Sequence, residues 1–174
     1  MTVEGIGRPW RTRTGMASTP EIGTEAPDFV LDGTSPEGRA RYTLSDFRGR
    51  PVVLAFYPGD ETPVCTKQLC SYQDQLSRFE DLDAVVLGIS AQNLDSHEVF
   101  AARRGLTFPL LADPDKTVIR LYGVNGPLLA KRAVFVIDPE GVVRWKHVST
   151  LGLTFQDVDT LTGVLASLAG TAPR

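Results

Sequence analysis

Two cysteines, Cys65 and Cys70, lie in the stretch Pro58-Gly59-Asp60-Glu61-Thr62-Pro63-Val64-Cys65-Thr66-Lys67-Gln68-Leu69-Cys70. A cysteine is an inert core residue, a metal ligand or a redox-active thiol. Metal binding fits poorly, because the pair is not a CxxC and only His97 and His147 could add imidazoles. A nucleophilic thiolate fits better. Pro63 suits a first helical position, which puts Cys65 in a first turn, where unpaired backbone N–H groups and the helix dipole favour an anion. Thr62 sets a hydroxyl on the same loop, able to donate to or accept from a small bound molecule. Pro58 has no N–H and can wall off water. Glu61 and Lys67 read as solvated or capping charges, and His97 and His147 as ordinary side chains.

Residues five apart on a continuous helix are displaced ~7.5 Å along its axis and turned by ~140°. Their Cα atoms are then ~8.7 Å apart, beyond the ~7 Å reach of a disulfide. Cys65 shares an inward stripe with Leu69, Tyr72, Leu76 and Phe79, at steps of 4, 3, 4 and 3. Cys70 falls with Gln73 and Ser77 on the wetter side. A bond between the two sulfurs would require the first turns of this helix to unwind.

The elements that must hold these residues follow from periodicity. The run 51–57, Pro-Val-Val-Leu-Ala-Phe-Tyr, is apolar enough for a central strand buried on both faces. It is preceded by a short extended run at 28–31 and a helical turn beginning at Leu44. After the cysteine helix, 84–89 reads as a second buried strand. Asp95 with Glu98 gives a cap signature for a helix reaching about Arg104. A short strand covers 108–111, with Pro109 at an edge or a strand start. Asp113 and Pro114 are expected to cap and open another helix, closed by Gly123. A strand at 133–137, a tight turn at 138–141 and a returning strand at 142–148 form a hairpin. Thr154 with Asp157 opens a final helix whose apolar face holds Val158, Leu161, Leu165 and Leu168. This order predicts a mixed central sheet flanked by helices, a single α/β domain at 21–174. Residues 1–20 read as a flexible tail, in which Met16 offers a second start position.

Composition sets the outer limits. The chain has 174 residues, 42% hydrophobic and 22% charged, the mix of an ordinary globular domain. No stretch approaches the ~20 apolar residues of a spanning helix. A net charge of -3 with no basic stripe makes nucleic acid and acidic membranes poor partners. Two cysteines are too few for a secreted disulfide scaffold, and no export signal precedes them, so the expected setting is the cytoplasm.

The stretch from Pro58 to Cys65 resembles the Pro-x-x-x-Thr-x-x-Cys signature of the peroxiredoxins, and Cys70 resembles the second cysteine of their Q subgroup, the bacterioferritin-comigratory-protein-like members. The likeness continues in Ile22-Gly23-Thr24-Glu25-Ala26-Pro27-Asp28-Phe29, in Leu44-Ser45-Asp46-Phe47-Arg48-Gly49-Arg50 and in the segment from Arg132 to Gly141, and covers about residues 20–170. It implies a thioredoxin-like fold and a thioredoxin-dependent thiol peroxidase acting on hydrogen peroxide and organic hydroperoxides. Cys65 would be the peroxidatic cysteine, oxidised to a sulfenic acid. Cys70 would resolve it as an intramolecular disulfide. Arg132 would stabilise the thiolate and the peroxide oxygens, and Thr62, Pro58 and the backbone N–H groups near Val64 and Cys65 would shape the peroxide pocket. The resemblance calls for no metal or organic cofactor. It calls for a thiol donor, thioredoxin or a glutaredoxin-like protein. Resolution within one chain leaves a monomer as the expected state. Many Q-subgroup members carry Gly where this chain has Val64, and the bulkier, β-branched residue bears on the size of peroxide admitted.

Other functions on this fold make different demands. A thioredoxin-type reductase needs a CxxC and usually a cis-proline before the facing strand, where this chain has Arg132. A redox sensor or chaperone would oxidise once, and a one-cysteine peroxidase would leave Cys70 incidental. Turnover with a reductant separates these from the two-cysteine enzyme.

Overall fold

A run with no polar residue can be satisfied only by burial on both faces, and Val52–Phe56 is buried throughout. It is the third of seven strands in the computed structural model, which describes residues 18–149 and 154–171. The strands are β1 Val30–Ser35, β2 Gly38–Thr43, β3 Val52–Phe56, β4 Val85–Ser90, β5 Leu110–Ala112, β6 Arg132–Ile137 and β7 Val143–Ser149. The helices are α1 Pro63–Asp74, α2 Leu76–Glu80, α3 Leu94–Arg104, α4 Thr117–Leu121 and α5 Val158–Thr171, with a 3-10 turn at Leu44–Phe47. They flank a single mixed sheet of order β2-β1-β5-β4-β3-β6-β7. β3 lies parallel to β4 and antiparallel to β6, so it has hydrogen-bonded neighbours on both sides.

The alternation of β3 and β6 sorts the core into two layers. Val52, Leu54 and Phe56 pack with Tyr122, Phe135 and Ile137 on one face. Val53, Ala55 and Tyr57 pack with Cys65, Leu69, Tyr72, Val134 and Val136 on the other, under α1 and α5. Cys65 is thereby delivered to the sheet face that also carries the even-numbered residues of β6.

Several element boundaries differ from expectation. The run at 28–31 is the approach to a full hairpin, Val30–Ser35 with Gly38–Thr43, whose second strand is mostly exposed and too polar to signal itself. The cysteine helix breaks at Gln75 (φ -119°, ψ 25°) into α1 and α2. Asn93, not Asp95, caps α3 by accepting from the Ser96 N–H, while Asp95 and Glu98 pair with Arg39. Pro109 precedes β5, which is interior to the sheet between β1 and β4. α4 starts at Thr117 rather than Pro114, yet Asp113 still serves its open end, accepting from the N–H groups of Thr117 and Ile119. Asp157 rather than Thr154 caps α5, accepting from the Thr160 N–H. The expected tail lies mostly outside the described residues.

Candidate active site

The site begins where β3 ends. After Tyr57 the chain turns through Pro58, Gly59, Asp60, Glu61 and Thr62 and enters α1 at Pro63. Glu61 takes a left-handed conformation (φ 62°), and its carboxylate meets Arg104 at 3.0 Å. Thr62 occupies the N-cap position, but its hydroxyl donates to the Gly59 carbonyl (3.0 Å) and caps no helical N–H. The first helical bond runs from the Thr66 N–H to the Thr62 carbonyl (2.9 Å), so the earlier N–H groups of Val64 and Cys65 have no partner within the helix. Pro58 is half-buried at the head of the same loop.

Arg132 reaches this place by strand register. Phe56 is paired with Ala133, so the next step sets Arg132 beside the end of β3. As an even-numbered residue of β6 it shares a face with Val134 and Val136, and a one-residue slip would turn it to the opposite layer. Its Nη2 donates to Cys65 Sγ at 3.1 Å. Cys65 is wholly buried and Arg132 is 3% exposed. A guanidinium held this close in a low-dielectric setting favours negative charge on the sulfur.

The other end of the guanidinium is held by Gln68, one turn beyond Cys65 on α1. Arg132 Nη1 donates to Gln68 Oε1, and Gln68 Nε2 donates to the Tyr72 hydroxyl (3.1 Å). The Tyr72 hydroxyl in turn donates to the Gln156 carbonyl (3.0 Å). Burial pushes the Tyr72 hydroxyl up to about 12, so it remains a donor. Each polar atom in the relay meets a partner of the opposite kind, which is what burial of an amide and a guanidinium demands.

A second buried network grips the loop. Asp60 Oδ1 accepts from the Tyr57 hydroxyl (2.7 Å), and Oδ2 accepts from the Ser96 hydroxyl (2.7 Å). His97 Nδ1 lies 2.7 Å from the same Oδ2, and His97 Nε2 lies 3.1 Å from the Leu111 carbonyl. The two side chains are 0% and 3% exposed for His97 and Asp60. Burial alone would raise the Asp60 carboxyl, but the hydrogen bond and charge of His97, with bonds from Tyr57 and Ser96, outweigh it and hold the group below its ordinary value. Asp60 is thus a carboxylate, which only accepts. A carbonyl also only accepts, so His97 faces an acceptor at each ring nitrogen.

Cys70 stands apart from these contacts. It is partly exposed, packed at the margin of the α1 layer, and both cysteines are free thiols. Burial pushes the Cys70 thiol up, with partial relief from Arg104. α1 is continuous through both residues, so the Cα spacing expected of a helix applies in this state. The structure therefore brings together Cys65, Thr62, Pro58 and Arg132 at the end of β3, and sets Cys70 aside. Gln68, Asp60 and His97 were not among the expected site residues. The available signal was positional: Gln68 is three residues after Cys65 and four before Tyr72, and His97 is three before Phe100, so both are polar residues on apolar stripes. Among the described residues no three His, Cys, Asp or Glu side chains gather as a metal site.

Comparison with known proteins extends this picture. Residues 22–146 match the AhpC/TSA family. Over 126 residues the chain is 43% identical to the chloroplastic peroxiredoxin Q of Oryza sativa subsp. japonica, a match covering 71% of this chain and 57% of the rice protein. It is 39% identical over 142 residues to a bcp peroxiredoxin of Coxiella burnetii, covering 76% of this chain and 92% of that one. The matched region thus spans little more than half the length of the rice relative. Among solved structures, AhpC of Mycobacterium tuberculosis superposes with a TM-score of 0.78 at 26% identity, covering 87% of this chain and 99% of that chain. The reduced 2-Cys peroxiredoxin of Plasmodium vivax shares the fold, with a TM-score of 0.79 at 24% identity over 86% of this chain and 96% of that one.

Proposed function

The chain belongs to the AhpC/TSA family, and from that premise we propose that it is a thiol-dependent peroxidase whose nucleophile is Cys65. The observation that carries this reading is the 3.1 Å contact from Arg132 Nη2 to a fully buried Cys65 Sγ at the open end of α1. The cation and the two backbone N–H groups left over by the helix stabilise negative charge on the sulfur against the cost of burying it.

The Cys65 thiolate attacks the terminal oxygen of a hydroperoxide. The S–O bond forms as the O–O bond breaks. The leaving alkoxide or hydroxide takes a proton and departs as an alcohol or water, and Cys65 becomes a sulfenic acid. Charge passes from sulfur to oxygen during this step, and the guanidinium, fixed on its far side by Gln68, need not reorganise to follow it. The Thr62 hydroxyl spends its proton on the Gly59 carbonyl, which leaves its lone pairs for the peroxide O–H. Pro58 closes the loop side without offering a competing N–H.

Cys70 then attacks the sulfenic sulfur. Water leaves and a Cys65–Cys70 disulfide forms, which requires the first turns of α1 to unwind. An external dithiol such as thioredoxin or a glutaredoxin-like protein reduces that bond and is itself oxidised to a disulfide. The cycle closes within one chain, which supports a monomer as the working unit. Its thiols must start reduced, which supports a reducing compartment such as the cytoplasm.

The test is intact mass after denaturing alkylation of protein treated with one equivalent of hydrogen peroxide. A two-dalton loss with neither cysteine alkylated is the expected result. Two thiols surviving unchanged would leave the family fold without the activity.

A further inference from the structure

We propose that the buried, hydrogen-bonded Asp60–His97 pair is an anchor for the loop bearing Pro58 and Thr62, so that this loop keeps its fold in both the dithiol and the disulfide states while α1 alone unwinds. The inference rests on the peroxidase reading only in taking α1 as the segment that rearranges.

The first support is where the partners of Asp60 come from. Its carboxylate is held by Tyr57 at the end of β3 and by Ser96 and His97 on α3. Its backbone N–H donates to Gln92 Oε1 (3.1 Å), itself held by the Ser90 hydroxyl (2.6 Å) at the end of β4. Glu61 adds an ion pair to Arg104 at the far end of α3. None of these groups lies on α1. Unwinding α1 removes no contact from Asp60, whereas it dismantles the relay through Gln68 and Tyr72.

The second support is the contrast between the two sides of Thr62. Before it stand a carboxylate held by Tyr57, Ser96 and His97 and a histidine ring facing two acceptors, with the Asp60 and His97 side chains buried. Behind it, α1 begins without a side-chain cap and without an acidic residue in its first turn. Its first turns carry two β-branched residues, Val64 and Thr66, and the Thr66 hydroxyl is buried without a hydrogen-bond partner. The helix therefore yields first, and the yielding stops at the loop. His97 also ties Asp60 to the sheet, since its Nε2–H donates to the Leu111 carbonyl of β5. His97 and Asp60 touch neither the sulfur nor a substrate position, and act as positioning residues through the loop.

The experiment uses the full chain labelled with nitrogen-15 in its histidine rings. There are two histidines, and a His147→Gln variant assigns them. Spectra are compared for the reduced protein and for the disulfide made with diamide, which does not depend on peroxide chemistry. Two protected ring N–H signals from His97 in both forms are expected. A single N–H in the reduced form, or loss of the Nδ1–H signal on oxidation, overturns the anchor. So does failure of diamide to close the bond, because an anchor confined to the loop leaves α1 free to unwind. Peroxide that leaves both thiols intact sinks the peroxidase reading alone.

A pair of variants separates anchoring from packing. His97→Asn keeps a donor near the Nδ1 position and His97→Gln keeps one near Nε2. The rate constant for Cys65 oxidation should fall roughly tenfold or more in His97→Gln, the size of one lost charged hydrogen bond, and stay within about threefold in His97→Asn. Equal losses in the two variants would make His97 a packing residue and overturn the proposal.

Discussion

Arg132 and Cys65 are 67 residues apart in the chain, yet Arg132 Nη2 stands 3.1 Å from Cys65 Sγ with both side chains buried. The contact is built by two independent facts. β3 and β6 pair in a register that ends at Phe56 and Ala133, and α1 folds back over the face on which the even-numbered residues of β6 project.

The guanidinium is bound at two corners, so its shape matters as well as its charge. Arg132→Lys keeps a cation but cannot reach both Cys65 Sγ and Gln68 Oε1. Its second-order rate constant with hydrogen peroxide, read by stopped flow, should fall at least about tenfold, and that of Arg132→Met by roughly a hundred- to a thousandfold. An unchanged rate in Arg132→Met would remove the arginine from the reaction.

The two cysteines divide the cycle. Cys65→Ser should abolish peroxide consumption. Cys70→Ser should consume about one peroxide per chain and then stall, gaining the mass of further oxygen atoms on Cys65 as peroxide is raised. Sustained turnover of Cys70→Ser with thioredoxin and its reductase would mean that resolution runs by another route.

Gln68 supports Arg132 without touching sulfur. Gln68→Leu fills nearly the same volume but leaves the Arg132 Nη1 donor and the Tyr72 hydroxyl short of a partner in a buried place. The cost expected in urea unfolding is about 1–3 kcal/mol, with slower oxidation of Cys65 because the guanidinium is no longer fixed. Unchanged stability would mean that water replaces the amide.

The loop carries a pH signature. The Asp60 carboxyl lies below its ordinary value of 3.8 in the folded protein. A carboxyl depressed by folding contributes its full stability above the unfolded value and loses it as pH falls through the folded value. Asp60→Asn should cost roughly 3 kcal/mol near neutrality, since it removes the buried carboxylate that accepts from Tyr57 and Ser96 and faces His97. That gap should narrow as pH drops below about 4, where the carboxyl of the unfolded parent chain begins to take up its proton, and close once the folded carboxylate is protonated at still lower pH. Urea midpoints from neutral to acid pH check this, and a gap that stays constant would place the loss in packing rather than charge.

Much of this was readable in the chain because the informative residues are local. The apolar run at 51–57, the proline before α1 and the stripe from Cys65 to Phe79 each carry their own geometry. The contact between Arg132 and Cys65 was legible only through family likeness, because nothing in local periodicity states a strand register. Gln68 was passed over because an amide on an apolar stripe looks like a tolerated surface residue until its two partners, on β6 and one turn further along α1, are known. His97 read as ordinary for the same reason: its meaning lies in Asp60, 37 residues earlier. The exposed second strand of the first hairpin was missed because strand periodicity is a burial signal, and it has little burial to report.

The β3–β6 register also has a consequence in time. Until residue 132 has been synthesised and β6 has docked beside β3, no arginine faces Cys65. A chain still emerging from the ribosome therefore holds the nucleophile in an unarmed form, without its cation and without the relay through Gln68. Arming the thiol is the same event as closing the sheet, so an incomplete or misfolded chain meets peroxide with an ordinary cysteine.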